Sequence, residues 1–157
     1  MSQKNKAFAP RVLAVPAGTV LNFPNDDDIF HNVFSLTPGN AFDLGLYRAG
    51  ASKSRTFTTP GVVRVFCNIH PQMTALVVTA PTPWVATASA DGAWRLELPP
   101  GRYKVTALSE RATPVAIEVT VKGATTSPAL TLDERAFVAA PHANKFGKPY
   151  PAAAYRQ

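Results

Sequence analysis

The chain has 157 residues, 46% hydrophobic and 17% charged. This excludes general disorder and leaves room for one large domain or two small ones. Its net charge of +6 divides evenly, +3 in residues 1–80 and +3 in residues 81–157. There is therefore no concentrated basic stripe of the kind that nucleic-acid binders carry, and the mild positive charge instead favours an acidic partner steered electrostatically.

No apolar stretch reaches the roughly 18 residues of a membrane span. The single cysteine cannot form an intramolecular disulfide. Frequent Val and Thr, with 15 prolines and 9 glycines, favour short strands joined by turns. No signal peptide is visible, yet Met1 runs directly into strand-like sequence, so a leader and part of a first strand are expected upstream.

In chain order, Arg11–Val15 is predicted as a strand turned by Pro16-Ala17-Gly18. Thr19–Asn25 follows with Leu21 and Phe23 on one face. Asp26-Asp27-Asp28 is expected to be a solvated loop rather than a hard-cation site, because it lacks spaced ligands. His31–Leu36 is a strand with His31, Val33 and Ser35 on one side and Asn32, Phe34 and Leu36 on the other. Thr37-Pro38-Gly39-Asn40 is a turn, and Phe42–Tyr47 is apolar but ambiguous in type. Ser54–Thr58, Val62–Cys67 and Met73–Thr79 complete a first unit of short strands, the pattern of a sandwich or barrel.

Ala80-Pro81-Thr82-Pro83 is expected to be a stiff linker between a first domain, residues 1–80, and a second, residues 84–132. In the second, Trp84–Ser89 and Ala93–Leu98 flank the hairpin signal Ala90-Asp91-Gly92. Arg102–Leu108 and the Val115, Ile117, Val119, Val121 series continue the alternation. This unit is near the lower size limit for independent stability. Residues 133–157 show no period and are expected to form an extended surface tail, with His142 an ordinary exposed histidine.

The informative segment is Cys67-Asn68-Ile69-His70-Pro71-Gln72-Met73, a Cys-x2-His-x2-Met pattern, with His31 supplying a second imidazole 36 residues earlier. A thiolate and two imidazoles with a weak axial thioether accommodate both Cu(I) and Cu(II), so one copper ion is the expected cofactor. Zinc fits less well, because a thioether is a poor zinc ligand. Cys67 closes one strand and Met73 opens the next, so the loop residues converge at one end of a sandwich. His31 can reach them from a neighbouring strand, and Pro71 stiffens the loop.

This loop resembles the ligand loop of the cupredoxins, with the short length found in amicyanins. Val15-Pro16-Ala17-Gly18-Thr19-Val20, Phe23-Pro24-Asn25, His31-Asn32-Val33 and Phe57-Thr58-Thr59-Pro60-Gly61 are similar to the corresponding regions of plastocyanin and amicyanin. The resemblance covers about residues 6–80. It implies a type 1 (blue) copper protein with His31, Cys67 and His70 equatorial and Met73 axial. It also implies that Asn32 ties the two ligand-bearing segments together, and that the N–H of Asn68 or its neighbours bonds the Cys67 sulfur. His70 would be the partly exposed ligand through which electrons pass, and Pro24, Phe30 and Pro71 would form an apolar docking rim. Asp91-Gly92-Ala93-Trp94 through Pro99-Pro100-Gly101-Arg102-Tyr103 is similar to the carboxypeptidase regulatory-like, transthyretin-like sandwich, a scaffold role by default.

The expectation is an all-β protein: a cupredoxin Greek-key sandwich followed by a small transthyretin-like sandwich. It is read as a periplasmic or secreted carrier of single electrons, serving a redox protein such as a cytochrome or dehydrogenase, with no enzymatic activity. Copper storage or delivery on the same ligands is the alternative. A binding module with a vestigial site is a third reading.

Overall fold

The computed structural model describes residues 1–123, 128–138 and 141–155. The chain divides into two units: Met1–Arg95 together with Pro141–Gln157, and Leu96–Ala140.

The first unit opens with a hairpin, β1 (Ser2–Lys4) and β2 (Ala7–Ala9). Its two turn residues, Asn5 and Lys6, sit in the left-handed region at φ 54° and 53°. Asn tolerates that conformation, but Lys pays for it, so the turn needs support from elsewhere. Sequence reading placed the first strand only at Arg11 and missed this hairpin, whose three-residue strands are too short to display a period.

The expected strands then appear within one or two residues of their predicted bounds. They are β3 (Val12–Pro16), β4 (Thr19–Pro24), β5 (His31–Ser35), β6 (Phe42–Tyr47), β7 (Ser52–Phe57), β8 (Gly61–Phe66) and β9 (Thr74–Ala80). The ambiguous Phe42–Tyr47 segment is thus a strand. It pairs antiparallel with β5, His31 opposite Tyr47, with an irregularity between Asn32 and Phe34.

One sheet has the order β3-β9-β8-β5-β6. Within it β3 runs parallel to β9, and β8 is antiparallel to both β9 and β5. Opposite it, β4 pairs with β7, and β1 joins them through a bridge between Gln3 and Asn25.

The core lies between these layers. Leu21 and Phe23 of β4, Val33 of β5, Phe57 of β7, Val63 and Val65 of β8 and Val77 of β9 meet there, together with Cys67 and Met73. Each fully buried Phe or Val contributes roughly 1.5–3 kcal/mol. The predicted alternation in β4 is realised, with Val20 and Asn22 exposed between the buried Leu21 and Phe23. Strand β5 is different, because all of its residues are buried. Phe34, on the face away from Val33, packs tilted on Phe66 at 5.7 Å. The C-terminal segment covers Phe66, with the His142 ring lying flat on it at 4.0 Å and 9° between planes. His142 is therefore half-buried rather than an exposed histidine, and the segment after Pro141 belongs to the first unit.

The second unit contains, among the described residues, one antiparallel hairpin of β10 (Gly101–Ala107) and β11 (Val115–Val121). Tyr103, Val105, Ile117 and Val119 share its half-buried face, as their alternation predicts. Gly101 leaves room for a neighbouring ring. A Cβ there would meet the Tyr103 ring at 3.3 Å, and that ring folds back so that its hydroxyl donates to Pro99 O at 2.8 Å. The Ala90-Asp91-Gly92 turn also forms, with Ser89 N donating to Ala93 O. However, Trp84–Ser89 and Ala93–Leu98 do not extend into a ladder. Among the described residues beyond Thr79 no side chain is fully buried.

Candidate metal centre

Three donors meet at one end of the sandwich. His31 opens β5, Cys67 follows β8, and His70 stands on the loop before β9. The loop is held at its base by Cys67 N donating to Met73 O at 3.1 Å. Within it, Met73 N donates to His70 O at 2.9 Å. That closes a turn with Pro71 at its second position, where the fixed φ of proline is favourable.

His31 Nδ1 lies 3.1 Å from His70 Nδ1, and Cys67 Sγ lies 3.8 Å from the first and 3.7 Å from the second. These separations define a triangle whose centre is about 2.1 Å from each donor, which matches metal–imidazole and metal–thiolate bonds of roughly 2.0–2.3 Å. His31, Cys67 and His70 form one cluster able to hold a metal ion. His31 and Cys67 are inaccessible to solvent, whereas His70 is half-buried.

The protonation states suit a cation. Asp27 Oδ2 lies 2.7 Å from His31 Nε2. Burial acts to raise the Asp27 carboxyl, but the N–H groups of Lys6 and Asn5 and the His31 ring outweigh it and hold the carboxyl below its ordinary range. An ionised carboxylate only accepts, so the His31 proton resides on Nε2 and the Nδ1 lone pair points into the cluster. At His70, burial first, then the difficulty of charging both rings at once and the Lys6 charge lower the pKa, which favours the neutral, ligating form.

Burial raises the Cys67 thiol against the opposing pull of the Asn32, Ile69 and His70 backbone N–H groups. Without metal the site thus holds a thiol. A bound cation would displace the proton, and those N–H groups would then stabilise the thiolate.

The structure brings together three of the four predicted ligands, and it buries Met73 beside Cys67 in the same core cluster. Asn32 turns its backbone N–H toward the Cys67 sulfur, while its side chain donates to Asp43 Oδ1 on β6 at 2.7 Å. Ile69 and His70, the residues after Asn68, also direct N–H groups at the sulfur, and Asn68 itself bonds the C-terminal segment. Its Oδ1 accepts from Lys145 N at 3.0 Å, and its carbonyl accepts from the Tyr150 hydroxyl at 3.0 Å.

Of the rim candidates, Phe30 is 54% exposed, Pro24 is half-buried and Pro71 is buried. Pro71 therefore offers turn geometry rather than surface. Ile69, 46% exposed beside His70, is an apolar surface residue that the sequence reading passed over. Asp27 was also missed, although an acid four residues before a ligating His was a usable signal.

No protein-family model matches the chain, and no curated protein matches it. Among solved structures, a purple cupredoxin from Nitrosopumilus maritimus is 26% identical, covering 49% of this chain and 85% of its own, at a TM-score of 0.45. The copper-containing nitrite reductase of Thermus scotoductus SA-01 is 26% identical over 50% of this chain and 21% of its own, at 0.48. A reduced amicyanin variant is 23% identical over 50% of this chain and 78% of its own, at 0.48. The first unit is a β-sandwich with its His-Cys-His cluster at one end. No helix of the described residues is long and apolar enough to cross a membrane.

Proposed function

We propose that the first unit is a cupredoxin-like type 1 copper protein that carries single electrons between redox partners. The observation that carries the reading is the triangle of Nδ1, Nδ1 and Sγ, each about 2.1 Å from a common centre and made of the soft and borderline donors copper prefers. His31, Cys67 and His70 would hold the ion, with Met73 as the weak axial ligand. Copper would supply a one-electron couple whose two states both accept this donor set.

The chain's own residues do the rest. Asp27 holds the His31 ring in one tautomer. Backbone N–H groups stabilise the thiolate, and the tight His70–Met73 turn resists rearrangement on reduction. Burial keeps water from His31 and Cys67. His70 is the half-buried edge of the cluster, and exposed Phe30 and Ile69 beside the ligands suit a transient apolar docking contact. The net charge of +6 favours an acidic partner, such as a cytochrome or dehydrogenase outside the cytoplasm.

The test is addition of Cu(II) to metal-free protein. An intense thiolate-to-copper visible band, bleached by reductant and restored by oxidant, is expected. A colourless complex would sink the reading, and copper transfer to a chelator outpacing electron self-exchange would move it to copper delivery.

A further inference from the structure

The C-terminal segment does more than cover the sheet. Residues 143–149 form a closed loop, with a bridge between Ala143 and Pro149 and Asn144 N donating to Lys148 O at 2.8 Å. Asn144 Oδ1 accepts from Phe146 N and Lys148 N inside that loop, which makes it a preshaped element.

Its contacts fall on both sides of Cys67. His142 stacks on Phe66, the residue before the cysteine. Lys145 N and the Tyr150 hydroxyl both bond Asn68, the residue after it. The Lys145 ammonium also reaches Asp43 Oδ2 at 2.8 Å. The other oxygen of Asp43 accepts from the Asn32 side chain, next to His31. One segment thus connects to the thiolate-bearing loop directly and to the first imidazole's strand through one carboxylate.

We propose that Pro141–Tyr150 is a strap that fixes the Cys67–His70 loop from outside, with Tyr150 and Lys145 as positioning residues for the metal centre. The metal part of this inference rests on the copper reading; the positioning of the loop does not. Asn68 has its side chain and its carbonyl engaged by the strap, so it cannot turn without breaking two bonds. Its peptide leads directly to the Ile69 and His70 N–H groups that face the sulfur. The strap therefore restrains the geometry around Sγ without touching the ion.

The experiment compares Tyr150→Phe and Lys145→Met with a control, Val20→Thr, at an exposed position of β4. Tyr150→Phe deletes one oxygen and Lys145→Met keeps the chain length, so both fold. The first readout is amide hydrogen exchange of metal-free protein. In Tyr150→Phe, exchange at Asn68, Ile69 and His70 is expected to quicken roughly three- to tenfold, the loss of one hydrogen bond. Lys145→Met keeps its N–H on Asn68 and loses only the ammonium on Asp43, so its quickening is expected at Asn32 and Asp43, with β4 and β7 unchanged in both. The second is copper release to a chelator, expected to quicken by a similar factor and to come with a displaced thiolate-to-copper band.

Equal quickening across all strands, in proportion to lost stability, would reduce the segment to a cover and overturn the proposal. Unchanged loop exchange in Tyr150→Phe would overturn it as well. Loop-specific quickening in a protein that binds no copper would uphold the strap while the copper reading fails.

Discussion

Asp27 is hydrogen-bonded to His31 Nε2 through one oxygen of a carboxylate that also accepts the Asn5 and Lys6 N–H groups. It therefore joins the left-handed turn of the first hairpin to the first imidazole. The turn's strain is held by the same group that fixes the ring's tautomer. Asp27→Asn keeps an acceptor but loses the charge, and Asp27→Ala loses both. Copper affinity, measured by competition with a chelator, is expected to fall about 10–100-fold, more in the Ala variant. The Ala variant should also show a lower apo melting temperature, because two turn N–H groups lose their acceptor. Unchanged affinity in Asp27→Ala would show that packing alone orients His31.

Met73 is 1% exposed and lies in the core cluster with Cys67. Met73→Leu nearly conserves volume, so its stability cost should stay below about 1.5 kcal/mol. If the thioether is the axial ligand, its removal withdraws electron donation from Cu(II). The reduction potential should then rise and the visible spectrum change while the thiolate band survives. Potentiometry on the purified variant checks this. An unaltered potential and spectrum would remove Met73 from the ligand set and leave it a core residue.

Legibility from sequence followed the range of the interactions. The ligand loop was readable because Cys67, His70 and Met73 lie within one short segment. Strands β4, β8 and β9 were readable because burial on one face imposes a period of two on Leu21 and Phe23 and on Val63 and Val65, or a continuous apolar run on Ala75–Val78. What was missed depends on distant partners. Lys145 bonds a residue 77 positions away and Tyr150 one 82 positions away, so nothing local marks either. The burial of Phe34 was not legible either, because it packs on Phe66, which His142 of that same distant segment covers. In the second unit the alternation was read correctly in β10 and β11, but alternation cannot tell whether a second sheet closes over the face.

The stability of the metal-free protein should peak between about pH 6.5 and 8.5, the unperturbed values of His and Cys. His70 and His142 both have folded-state pKa values lowered, in each case by burial first. The unfolded chain therefore takes up protons first as pH falls below about 6.5, and stability declines. The Cys67 thiol is raised by burial, so the unfolded chain ionises first above about pH 8.5, and stability declines again. Asp27, lowered despite burial, adds a further loss in acid as pH drops from about 3.9 through its folded value. Urea midpoints across this range, with copper stripped, test the profile. A midpoint still rising above pH 9 would contradict the buried thiol.

The outer face of the five-stranded sheet behaves as a second core only if the C-terminal segment stays down. Phe34 is fully buried there, although it lies on the face away from the sandwich interior. Phe34→Ala should then cost about 3–5 kcal/mol, the range for a buried aromatic, as the cavity opens beneath a cover that cannot collapse fully. Leu46→Ala, on the neighbouring strand but 55% exposed, should cost no more than about 0.5 kcal/mol. Urea unfolding of the two metal-free variants gives the comparison. If the segment were lifted in solution, Phe66 would lose the His142 ring stacked on it, Phe34 would lose the support behind Phe66, and the removal of Phe34 would cost less than that range. The size of the Phe34→Ala effect thus reports on whether the strap is closed.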